Sequence, residues 1–153
     1  MDMDLTDTER LLRDTFRGYF TAQIEPHVPA MERGELLPYD LMRDMHRTLG
    51  LDAMLVARAE RPNAGPHPDS PPTRGREADG GMGGLDANAV RYARTTFTVE
   101  MARVSPSFAL SYGASLGLFG ANVLGKGSPE QVERFAMPVL RCERIGSWGL
   151  TEP

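Results

Sequence analysis

The chain has 153 residues, one domain's worth and enough to bury a useful core, with 41% hydrophobic residues, 25% charged residues and a net charge of −4. That acidic balance argues against a nucleic-acid binder, which carries a basic face. The single cysteine, Cys142, excludes an internal disulfide and points to a reducing, cytoplasmic setting; no apolar run approaches membrane-spanning length, and the acidic opening MDMDLTDTER is unlike a secretory or transit peptide.

The elements follow in chain order. Thr6 with Glu9 forms a capping box, and Leu12, Phe16, Tyr19, Phe20 and Ile24 recur at helical spacing behind it. Pro26 and Pro29 end or redirect this helix, and AMERGEL reads as a short helical turn stopped by Gly34. A second helix runs from about Pro38 to Leu49, with Leu41, Met42, Met45 and Leu49 as its apolar stripe and Gly50 at the left-handed cap position. After LDAMLVA the pattern collapses: from Pro62 to Gly84, eleven of 23 residues are glycine or proline. Such a stretch buries too little surface to offset its ordering entropy, so it reads as a long flexible loop.

Order returns at Asp86, a good N-cap, and a helix from about Ala87 to Arg103 places Val90, Ala93, Phe97, Met101 and Val104 on one side. Ser105-Pro106 caps and opens the next helix, SFALSYGASLGLFGANVLG, which is apolar or small nearly all round and is therefore expected to be the most buried. Gly113, Gly117 and Gly120 lie three and four apart in it. They cost helix propensity, which predicts that something approaches the backbone there. Ser128-Pro129-Glu130-Gln131 repeats the capping logic and opens EQVERFAMPVLR, after which the pattern turns extended. The fold class is all-α, a bundle of about five main helices with a long Gly/Pro-rich loop and a β-strand beginning at the C-terminal end.

Catalytic signals are sparse. His27, His46 and His67 are scattered without a second ligand at metal spacing, so packing is the reading for each and no metal site is assigned. GGMGGLD lacks the strand and spacing of a phosphate or dinucleotide loop. Ser105, Ser107, Ser111 and Ser115 have no nearby histidine and no nucleophile-elbow pattern, which leaves helix packing. Cys142 has Arg141 and Arg144 beside it, but a helix C-terminus opposes a thiolate, so it reads as an ordinary thiol. What remains is GSWGLTEP, where Trp148, Leu150 and Thr151 at a strand start have the chemistry to line a flat aromatic ligand.

Taken in this order, the segments resemble the acyl-CoA dehydrogenase family over nearly the whole chain. LTDTERLLRDTFRGYFTAQIEPHV is similar to that family's opening helix, and LMRDMHRTLGLDAMLV to its second helix and following turn. GGMGGLD resembles the glycine-rich bend before the third long helix, and EMARVSPSFALSYGA the break and buried helix beyond it. GSPEQVERFAMPVLRCERIGSWGLTEP resembles the segment leading into the flavin-contacting strand. Its LTEP, with an aromatic two residues earlier, is the most specific piece.

The resemblance implies residues 1–145 as the N-terminal helical domain of an FAD-dependent acyl-CoA dehydrogenase, with 146–153 opening the middle β-domain. By the same resemblance Trp148, Leu150 and Thr151 would lie against the isoalloxazine of FAD, and Leu110, Ser111, Gly113, Ala114 and Gly117 would wall the acyl-chain pocket. LSYGA is closest to members acting on short or branched chains such as isovaleryl-CoA. In the family the catalytic glutamate removes the α-proton of the thioester while the β-hydride passes to flavin N5. It comes from a C-terminal bundle beyond LTEP, so no catalytic residue is assigned here and the chain alone is expected to be inactive. The resemblance further implies an acyl-CoA substrate, an electron-transfer flavoprotein or similar acceptor, and a homotetramer. The segment from Pro62 to Asp79 departs from the family in being longer. Two rival readings are a non-catalytic helical module that pairs with a full-length relative, and part of an acyl-CoA oxidase.

Overall fold

The computed structural model describes residues 5–51, 87–147 and Gly149. The expected loop, residues 62–84, lies outside the described residues, as does most of the expected strand opening at 146–153, where Gly146, Ser147 and Gly149 are described and are not in a strand. Five main helices and no strand are present among the described residues, in agreement with the all-α reading. They are α1 (Asp7–Gln23), α2 (Tyr39–Leu49), α3 (Ala87–Val104), α4 (Pro106–Lys126) and α5 (residues 129–140). The chain divides into two compact units, one from Met1–Leu37 with Gly75–Leu110, the other from Pro38–Arg74 with Ser111–Pro153.

The first unit is built on α1 packed along α3. The capping box forms as expected: the Thr6 N–H donates to Glu9 Oε2 at 2.8 Å and the Glu9 N–H to Thr6 Oγ1 at 3.3 Å, satisfying two donors at the helix start. Phe16, Phe20 and Ile24 are buried, and Phe97 of α3 meets the two phenylalanines at ring-centroid distances of 5.4 Å each, edge-on to Phe16. Pro26 and Pro29 convert the end of α1 into a 3-10 turn (Glu25–His27) and a one-turn helix (Val28–Glu32), which Gly34 ends at φ +72. The buried face of α3 differs from the expected apolar stripe. Ala93 and Met101 are buried as expected, but Thr96 and Glu100 are buried with them, while Val90, Phe97 and Val104 are only partly covered.

Glu100 is buried because two arginines neutralise it. Arg17 of α1 grips it with two bonds, Nε to Oε2 at 3.1 Å and Nη2 to Oε1 at 2.7 Å, and Arg103 Nε adds a third to Oε2 at 2.8 Å. The Arg17 hydrogen bonds hold its carboxyl below the usual carboxylate range against the opposing desolvation, with Arg103 adding to the effect. Arg103 also donates to Thr21 Oγ1 on α1 at 2.9 Å, so the same cluster ties both helices together.

The second unit holds α2, the greater part of α4, and α5. Gly50 closes α2 in the left-handed conformation (φ +64), as its sequence position predicts. Met42, Met45 and His46 are fully buried. Ser128 and Gln131 form the second capping box, with the Ser128 N–H donating to Gln131 Oε1 at 2.8 Å. Two stretches are π-helical, Gly113–Gly120 in α4 and Val132–Ala136 in α5. Neither was visible in the hydrophobic pattern, which does not distinguish i→i+4 from i→i+5 bonding.

Two expectations about α4 change. It is long and apolar enough, by length and composition, to cross a membrane, because mostly small glycines and serines interrupt its apolar residues. Core helices share that property, and here Gly120 lies against Val139 and Leu140 of α5 at 3.4 and 3.5 Å from the position of a Cβ. The helix is also not the most buried: Phe108, Ser115, Leu116 and Gly120 are buried, but Leu110 and Leu118 are 71% and 48% exposed. An all-apolar helix signals burial only where other parts of the chain cover it, and Leu110, Gly117 and Leu118 are left exposed.

Candidate functional site

Of the glycines that predicted a close approach to the α4 backbone, Gly120 meets α5, whereas Gly113 and Gly117 have no described atom within 4 Å of where a Cβ would stand. Gly117 is exposed, while Gly113, Ala114 and Ser111 are partly covered. Leu110, in the first unit, is largely exposed. Gly113 and Gly117 therefore form a side-chain-free strip on a π-helical segment, a helix type concentrated at functional sites, while Ser111 lies in the α-helical turn before it. Trp148, Leu150 and Thr151, the expected flavin contacts, lie outside the described residues.

The opposite side of the same segment is occupied. The Ser115 hydroxyl is completely buried and accepts the N–H of Gly146 at 3.0 Å, 31 positions away. Phe119, one turn on, lies against Gly146 so closely that a Cβ there would stand 2.5 Å from its ring. The chain reaches Gly146 through a tight turn after α5. Cys142 adopts φ +53, its N–H donates to the Val139 carbonyl at 2.9 Å, and the Glu143 and Arg144 N–H groups donate to the Pro138 carbonyl at 2.9 and 3.1 Å. Arg43 of α2 braces this turn, its Nε donating to the Cys142 carbonyl at 3.1 Å.

Two groups given a packing reading are found in packing roles. His46 is buried with Nε2 3.0 Å from the Tyr112 hydroxyl, and burial pushes the Tyr112 phenol up, so it stays protonated as a hydrogen-bonding partner. Cys142 is a buried thiol, 1% exposed. Among the serines, Ser105 caps α4 by accepting the Phe108 N–H at 3.1 Å, and Ser107 donates to Glu32 at 2.8 Å.

Sequence reasoning missed a cleft in the second unit. Phe119, Phe135 and Ile145 line it with Arg134, Arg144 and Ser147. The Arg134 guanidinium lies 5.0 Å from the centre of the Phe135 ring. No spacing signal foretold this, since the lining comes from α4, α5 and the turn beyond them.

No family model matches the chain, and no solved structure matches it significantly. The chain is similar to a benzylmalonyl-CoA dehydrogenase of Aromatoleum aromaticum, 31% identical over all 153 residues, and to a probable acyl-CoA dehydrogenase, YngJ, of Bacillus subtilis, 26% identical over the same residues. In each case it spans 34% of the relative's length. The resemblance read from the sequence is thus matched by similarity to two curated CoA dehydrogenases along all 153 residues.

Proposed function

We propose that this chain forms one wall of the acyl pocket and one edge of the flavin site of an FAD-dependent acyl-CoA dehydrogenase, which oxidises an acyl-CoA thioester to the trans-2-enoyl-CoA. The match of all 153 residues to two named CoA dehydrogenases carries the reading. The bare strip at Gly113 and Gly117 supports it, because an acyl chain needs room beside a helix backbone. Trp148, Leu150 and Thr151 would hold FAD, which when bound supplies the hydride acceptor. The helix orients the thioester by shape and excludes water through its apolar neighbours, of which Leu118 is exposed. By the same resemblance, the base that takes the α-proton is assigned to no residue of this chain, and the chain alone is expected to be inactive. The family's acyl-CoA substrate, flavoprotein electron acceptor and homotetrameric assembly belong to this same proposal.

The first test is to read the gene past the codon for Pro153 and purify the product. An open frame beginning with a Gly/Ser-rich turn, a flavin-containing product and acyl-CoA oxidation coupled to an artificial electron acceptor are expected. Turnover with oxygen as sole acceptor would replace the dehydrogenase by an oxidase. A stop codon with a co-purifying partner would favour a non-catalytic module, to which the exposed Leu118 and Phe135 are suited.

The pocket assignment makes its own prediction. In the flavin-containing enzyme Gly117→Leu fills the strip and lowers kcat/KM by roughly a hundredfold. It leaves the melting temperature unchanged or higher, since a helical glycine is roughly 1 kcal/mol worse than alanine and no described atom stands within 4 Å of a Cβ there. Full activity in this variant would remove Gly117 from the pocket.

A further inference from the structure

We propose that Ser115 and Phe119 are positioning residues that set the chain at Gly146, the entrance to the stretch given above to the flavin; the inference rests on that reading for its functional meaning. A hydroxyl fully buried in an apolar helix is costly unless bonded, and the Ser115 hydroxyl is committed to the Gly146 N–H at 3.0 Å. Phe119 stands one turn along the same side of α4. Gly146 has no positive φ, so its backbone conformation does not demand glycine. Space does: a Cβ at 146 would lie 2.5–2.8 Å from Phe119 atoms, closer than real Cβ atoms come. A hydrogen bond and a flat ring thus locate one residue from two directions.

The approach to Gly146 is fixed as well. The left-handed Cys142, the two N–H donations to the Pro138 carbonyl and the Arg43 brace leave only Ile145 between a capped helix end and the Ser115 bond. Ser115 and Phe119 alternate along the helix with Gly113 and Gly117, the bare strip. One face of a single π-helical segment would receive the acyl chain, and the other anchors the chain leading to Trp148. The distance from acyl wall to flavin stretch is then set by the width of one helix, not by the docking of separate parts, and hydride transfer depends on that distance.

The test is amide hydrogen exchange on the full chain, read by NMR. In Ser115→Ala the Gly146 amide exchanges roughly three- to tenfold faster, as expected for one lost hydrogen bond. The amides of Met137 and Leu140 in α5 keep their rates. Gly146→Ala, which drives a methyl group into Phe119 and keeps the Ser115 hydroxyl, accelerates exchange at residue 146 and shifts the emission of Trp148, the chain's one tryptophan. Should Ser115→Ala not fold, Gly146→Ala is judged by the same criterion. An unchanged rate at residue 146, or an acceleration that Leu140 shares equally, overturns the positioning role. These readouts need no flavin. A longer enzyme that purified without flavin would therefore sink the proposed function and leave the Gly146 result standing.

Discussion

Replacing Phe20 by alanine is expected to cost about 3–5 kcal/mol, the range for deleting a buried aromatic side chain. Phe20 is completely buried, with Phe97 5.4 Å and Tyr19 5.7 Å away between ring centroids. The large value follows from how little can relax. Phe16 already occupies the other approach to Phe97, and the buried Ile24 lies one turn along α1, so removing the ring leaves a void instead of a collapse. A loss of that size is a large fraction of a domain's stability, about 5–15 kcal/mol. Urea unfolding followed by circular dichroism should show a much lower midpoint for Phe20→Ala, whereas the 68%-exposed Leu11→Ala should stay within about 0.5 kcal/mol of the parent. Similar midpoints for the two variants would mean that α1 and α3 do not form this core.

The second large effect concerns charge. Glu100→Gln is expected to destabilise the first unit by about 1–3 kcal/mol at neutral pH, since it removes a buried carboxylate's charge-assisted bonds to Arg17 and Arg103. The lower part of that range applies, because the Arg17 and Arg103 side chains are 51% and 41% exposed and water partly screens them. The pH dependence has a definite sign. The folded-state pKa of Glu100 lies below the usual value of 4.5. Unfolded chains therefore bind the proton more readily, and stability rises with pH through this window. The contribution is fully present above the unfolded pKa and disappears as pH falls through the folded one. The gap between parent and Glu100→Gln should be widest near pH 7 and close in acid. A gap that stays constant from pH 7 down to acid would show that the carboxylate's ionisation is not what stabilises this cluster.

This ion cluster illustrates where sequence reasoning stopped. Helical periodicity placed Phe97 and Met101 on the inner side of α3 and gave no sign that Glu100 would be buried beside Met101. The burial of an acid depends on whether a cation from another helix reaches it, and Arg17 lies 83 positions away. The candidate site divides in the same manner. Gly113, Gly117 and Gly120 stood out because glycine inside a helix carries a local penalty that asks for a reason, but of the three only Gly120 meets the expected close neighbour. The Arg134 and Arg144 cleft did not, since its lining residues have nothing in common until α4, α5 and the following turn are brought together.

By itself, then, the sequence determined the parts that local physics governs. These are the two capping boxes at Thr6 and Ser128, the proline-directed break after α1, the glycine stop at Gly50, the five helices, and the ordered motifs that resemble acyl-CoA dehydrogenases. Each follows from hydrogen bonds and backbone conformations formed within a few residues. Only the tertiary structure decided which face of α4 is covered, that its central turns are π-helical, that Glu100 can be buried, and that Ser115 and Phe119 hold Gly146. These depend on partners tens of residues apart, and no short-range pattern records which of them will meet.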